Sequence, residues 1–156
     1  MVAAFSWEEF LYQYIETGWF DFEDRPKTMK AMRRVWESVP AEVWDEMPSL
    51  IVFAPCPWKF GEVLPFGGHP AEEAAFIYLS PALESQRQAR VDFTVAHEFA
   101  HVVLGHHRPD SKDVLLTTAQ SAKITEHHEA PAEIKADALT ESWGFTVPDE
   151  RQHVRS

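Results

Sequence analysis

Ten residues constrain this chain more than any others: Val95-Ala96-His97-Glu98-Phe99-Ala100-His101-Val102-Val103-Leu104, an H-E-x-x-H core inside an apolar run. A helical turn takes 3.6 residues, so His97 and His101 share a face and their imidazoles converge on one point, as two ligands of one metal ion must. Glu98 stands beside them, where it would not coordinate but would act as general base on a metal-activated water. Phe93, Ala96, Ala100, Val103 and Leu104 recur at three- and four-residue intervals, which predicts an amphipathic helix with that face in a core. The competing reading, two surface histidines on an ordinary helix, does not explain the apolar setting.

A chain of 156 residues fits one domain, expected here as a helical N-terminal segment over 1–48 and a catalytic core over 49–148. The formal charge of −11 leaves no basic stripe to neutralise phosphates, so neither nucleic acid nor a membrane surface is expected as a partner. No apolar run approaches the roughly 20 residues of a membrane-spanning helix, and the N-terminus has no secretory pattern. The single cysteine, Cys56, admits no internal disulfide and fits a reducing, cytoplasmic setting. Cys56 matches no cysteine-enzyme signature, and a structural thiol is the simpler reading.

Ser6 and Glu9 form a capping box ahead of Trp7, Phe10, Leu11, Tyr14 and Ile15, predicting a first helix that ends near Gly18. A second runs from Lys27 to Ser38 with Met29, Met32, Val35 and Trp36 in one stripe, and Pro40 stops it. Trp7, Trp19, Trp36 and Trp44 suit helix docking better than a ligand box, because aromatics at helical spacing bury against neighbours. Leu50 to Ala54, bounded by prolines, reads as a buried strand, and Phe60 to Leu64 as a brief one in a Pro/Gly-rich loop that also holds His69. Ala74 to Leu79 is strand-like, and the chain turns helical from about Leu83. Gly105 caps the H-E-x-x-H helix, with His106, His107 and Arg108 suiting its negative pole. Val114 to Ile124 is ambiguous. A last helix spans Pro131 to Trp143 and stops at Gly144. Helices alternating with short strands give an α+β class.

Catalytic zinc normally has three protein ligands and one open position, so a third is needed. His107 lies where an extended H-E-x-x-H-x-x-G-x-x-H motif has its last histidine. However, Leu104 occupies the glycine position of that motif, and no methionine follows Met47 to build a methionine turn. His127 and His128 have nothing around them that fixes them at a metal. Glu133, in Glu133-Ile134-Lys135-Ala136-Asp137, is the preferred ligand: a second helix would present it while Asp137, one turn on, accepts the free ring N–H of a ligating histidine. The alternative is that both are solvated charges.

Phe93 to His101 followed by Glu133-x-x-Ala136-Asp137 resembles the ImmA/IrrE family of zinc metallo-endopeptidases, a gluzincin-like branch of the zincins. The resemblance spans about residues 74 to 148. It implies a small twisted sheet packed on the H-E-x-x-H helix and a second metal-ligand helix, with Zn2+ held by His97, His101 and Glu133, Glu98 as the catalytic base and Asp137 behind a ligand. It also implies hydrolysis of a protein or peptide substrate, and by analogy with relatives that cut a repressor in phage, mobile-element or stress regulation, a regulatory protease. Tyr78, His106, His107, His127 and His128 are all candidates for an oxyanion donor. In zincins the strand nearest the active-site helix is an edge to which an extended peptide adds, a role expected here of Ala74 to Leu79. A catalytically inactive zinc-stabilised interaction module is the contrasting class, and Glu98 argues against it because a structural site needs no general base.

Overall fold

The computed structural model of the chain describes residues 22–45, 50–55, 61–65, 74–106 and 131–148, together with Trp7 and Met47. The expected first helix lies outside the described residues apart from Trp7, as do Trp19, Cys56, His69, His107, Val114 to Ile124, His127 and His128.

Helix α1, Pro26–Ser38, starts on a proline whose fixed φ suits a first helical position, and buries Thr28, Ala31, Met32, Val35 and Trp36. It ends where Val39 turns extended ahead of Pro40. Its N-terminal N–H groups find no cap in their own segment. Glu84, in a 3-10 turn over Pro81–Ser85, accepts instead from the Lys27 N–H at 3.0 Å, the Thr28 N–H at 2.9 Å and the Thr28 hydroxyl at 2.8 Å. A carboxylate at that pole satisfies orphan donors and complements the helix dipole. Glu84→Ala is therefore expected to destabilise the protein by about 2 kcal/mol, read as a lower urea midpoint at unchanged slope. An unshifted midpoint would mean that water serves those N–H groups equally well.

Helix α2, Ala41–Asp45, precedes a three-stranded mixed sheet of β1 (Leu50–Pro55), β2 (Gly61–Pro65) and β3 (Ala74–Leu79). The strand order is β1-β3-β2, with β3 parallel to β1 and antiparallel to β2. The expectation that β3 forms an edge is thus wrong: it is the central strand, and among the described residues β2 lies at the edge beside it. The register puts Ile51 opposite Ala75 and Phe53 opposite Ile77, so the buried side chains of both strands line one face.

That face packs on α3, Gln88–Val103, the H-E-x-x-H helix. The sequence pattern predicted one apolar stripe, but every residue from Val91 to Val102 is buried. Helix α1, the sheet and helix α4 (Pro131–Ser142) all pack on it, so it is the central rod of the fold. Leu104, expected in the core, is 39 % exposed because the helix has already ended there. Phe99 sits at the hub, with the Trp44 ring edge-on at 5.7 Å and the Phe53 ring at 6.1 Å. Trp36 and Trp44 are core residues, and Trp7 docks on Trp36 at 5.6 Å. Polar contacts lock α1 to the start of α3: Arg34 pairs with the buried Asp92, and Gln88 donates to the Lys27 carbonyl at 2.9 Å and to Asp92 at 2.8 Å. The helices of the N-terminal segment therefore belong to the same core as the site.

Candidate metal centre

Two helices build the site. Helix α3 presents His97 and His101 one turn apart, their rings perpendicular with centroids 4.6 Å apart, and α4 brings Glu133 across to meet them. The two Nε2 atoms are 3.0 Å apart, His97 Nε2 lies 3.3 Å from one Glu133 oxygen, and His101 Nε2 lies 2.6 Å from the other. Tetrahedral ligands about 2.0 Å from a zinc ion stand roughly 3.3 Å from one another, close to this triangle. Three buried donor atoms facing one another require a shared cation or proton, and their nitrogen and oxygen chemistry suits a borderline metal ion. His97, His101 and Glu133 form the one such group among the described residues.

Burial rules out the solvated-charge reading of Glu133 and Asp137. Glu133 is 7 % exposed and Asp137 2 %, although both lie on a terminal helix that also carries the exposed Ile134 and Lys135. Carboxylates are not kept from water at such cost unless paired or coordinating. Asp137 Oδ1 lies 2.7 Å from His97 Nδ1, an ion-pair contact rather than an in-line hydrogen bond. Glu133 is thus one corner of the triangle, and Asp137 stands behind His97.

Charge is divided unevenly between the histidines. Burial works against the His97 imidazolium, but Asp137, Glu133 and Glu98 together outweigh it and hold its pKa up at about 9. Burial and the positive His97, with a smaller push of the same sign from His106, drive His101 down to about 4 against the pull of Glu133. Without a metal, the three carboxylates thus favour a proton on the pair, held chiefly by His97. A metal ion must displace that proton, so uptake near pH 7 is expected to release about one proton, and affinity to rise roughly tenfold per pH unit until pH reaches about 9. Calorimetry in buffers of different ionisation enthalpy measures this, and metal uptake without proton release would contradict it.

Glu98 is buried beside the ligands and close enough for its charge to act on His97. What holds it there was not visible in the sequence. Gly61 pairs with the inward-facing Leu79, and a Cβ built on Gly61 would stand 2.7 Å from Glu98 Oε2 and 2.9 Å from its Cγ. The edge strand passes over Glu98 with no room for a methyl group. Gly61→Ala should therefore displace the Glu98 carboxylate and lower turnover by about 10²-fold, the scale of a misplaced reacting group, with metal content unchanged. Wild-type turnover in a folded Gly61→Ala protein would show that Glu98 does not need this slot.

Other candidates resolve differently. Tyr78 stacks near Phe76, their rings 5.4 Å apart, on the sheet face opposite the buried Ile77 and Leu79. His106 was expected at the helix dipole or as an oxyanion donor. It is buried against His101 instead, with the two Nδ1 atoms 2.8 Å apart. The signal for this was Gly105: a helix ending on a left-handed glycine folds the next residue back over the last turn. Compared with protein-family models, with curated proteins and with solved structures, the chain gives no match.

Proposed function

We propose that this protein is a zinc-dependent endopeptidase with a zincin-like fold, of the ImmA/IrrE type. The observation that carries the reading is the meeting of His97, His101 and Glu133 from two helices with a buried Glu98 beside them that is not a ligand. A bound zinc ion would supply Lewis acidity to a water and to the scissile carbonyl. Glu98 takes the proton of the attacking water onto its carboxylate and delivers it to the leaving amide nitrogen. Asp137, with its carboxylate 2.7 Å from His97 Nδ1, sits behind the neutral ligand ring and keeps it oriented. The low exposure of every one of these groups excludes bulk water and strengthens their electrostatics.

The substrate is an extended segment of another protein, and β2 rather than β3 is the strand to receive it. β2 passes over Glu98 at Gly61 and, among the described residues, has one side without a strand partner. Main-chain pairing there would lay a peptide bond near the metal with little demand on side chains, favouring unfolded segments over compact domains. The resemblance adds a regulatory role in the cytoplasm, with a repressor as target. Zinc-loaded protein incubated with an unfolded casein tests the activity: cleavage that stops with chelator and returns with zinc is expected. Cleavage indifferent to chelator, or none by zinc-loaded protein on any unfolded chain, would overturn it.

A further inference from the structure

The C-terminal cap of α3 does more than end the helix. Gly105 has φ 74° and its N–H bonds the Val102 carbonyl at 3.0 Å, while the His106 N–H bonds the His101 carbonyl at 2.9 Å. This pair of bonds is the Schellman arrangement, which returns the chain over its own last turn. It brings the His106 ring onto the His101 ring, with centroids 5.1 Å apart and Nδ1 facing Nδ1 at 2.8 Å. His106 is 4 % exposed, although the residues just before it at the cap are exposed or half-buried.

Two bare nitrogen lone pairs do not approach so closely, so one Nδ1 donates and the other accepts. His101 points Nε2 at Glu133 and His97, and once it coordinates a metal through Nε2 its neutral ring carries its hydrogen on Nδ1. His106 must then accept through a bare Nδ1 and keep its own hydrogen on Nε2. We propose that, in the metal-loaded site, His106 is a positioning residue for the ligand His101, a neutral acceptor that fixes its tautomer and ring rotation from behind, where His97 has the Asp137 carboxylate. This rests on the metal-centre reading above.

The difference between the two supports has a chemical consequence. The site already buries the carboxyl groups of Glu98, Glu133 and Asp137. A further carboxylate behind His101 would add negative charge and make that ring a stronger donor, weakening the Lewis acidity of a bound ion. An imidazole orients the ligand without that cost.

The test is zinc affinity of the full chain by chelator competition, for wild type, His106→Phe and His106→Asn. Phe keeps an aromatic ring but cannot accept, and should bind zinc about 10–100-fold more weakly. Asn offers a carbonyl acceptor without the ring and should recover most of that loss. A packing role gives the reverse order, so Phe at wild-type affinity, or Asn no better than Phe, would overturn the proposal. Nitrogen-15 spectra of the zinc-loaded wild-type protein decide the question even if neither variant folds. They should show His101 protonated at Nδ1 and His106 at Nε2 only, and a His106 protonated at Nδ1 would overturn it. Wild-type protein that takes up no zinc would remove the metal centre itself, whereas zinc binding that is indifferent to His106 removes only this role.

Discussion

Glu98→Gln is expected to keep one metal ion per chain and an unchanged fold while turnover of an unfolded protein substrate falls by about 10²–10⁴-fold, the usual contribution of a positioned general base. The residue is buried beside the three donor atoms without being one of them, and Gln is nearly isosteric, so Gly61 still has only a flat side-chain end to clear. The amide cannot take a proton at neutral pH, which isolates that one step. The loss should appear in kcat, because the interaction is made in the transition state. If the Gln protein turned over like wild type, hydrolysis through Glu98 would be untenable. A metal-loaded wild type equally inert would favour an interaction module.

Removing a ligand should act on the other quantity. A structural zinc site yields roughly 10–16 kcal/mol over four ligands, so one ligand carries on the order of 3 kcal/mol, about a hundredfold in affinity. Glu133→Ala is expected to lose at least that much, because it also removes the one carboxylate in contact with both imidazoles. His97→Ala and His101→Ala should match it. Asp137→Ala, which leaves all three donors in place, should cost less, about 10–100-fold. Chelator competition on the apo-proteins gives this ranking directly. Undiminished affinity in Glu133→Ala would assign the third position to another side chain, with His107, His127 and His128 the first to substitute.

The legible part of the site was the part governed by local period. His97 and His101 meet because four residues make about one turn, and Glu133 and Asp137 share a helix face for the same reason. Helix ends were legible too: Pro40 stops a helix through its fixed φ and missing N–H, and Gly105 and Gly144 through their freedom to take the positive φ of a helix cap. Strand order was not. The apolar alternation of Ala75, Ile77 and Leu79 marks which face is buried but not whether neighbours lie on one side or both, so it could not correct the edge position that the zincin resemblance implies. Long-range polar pairs were equally hidden. The cap from Glu84 onto Lys27 and Thr28 joins positions more than fifty residues apart, as does the Arg34–Asp92 pair. Nor can a sequence show that Gly61 is small because Glu98 lies against it.

The helix of Val91 to Val102 offers an intermediate case. Val91, Val95, Phe99 and Val102 are apolar alongside Phe93, Ala96 and Ala100, which is more than one stripe. A helix apolar on most of its circumference is buried on most of it, and His97 and His101 sit inside that dry surround. Their burial follows from the residues between them as much as from the motif.

X-ray absorption at the zinc edge of the reconstituted protein tests the central claim most directly. The account predicts one ion per chain with two imidazole nitrogens and carboxylate oxygen at about 2.0–2.2 Å and no sulfur, collapsing to a single imidazole in His101→Ala. A thiolate at about 2.3 Å, an all-oxygen shell, or a spectrum unchanged in His101→Ala would contradict it.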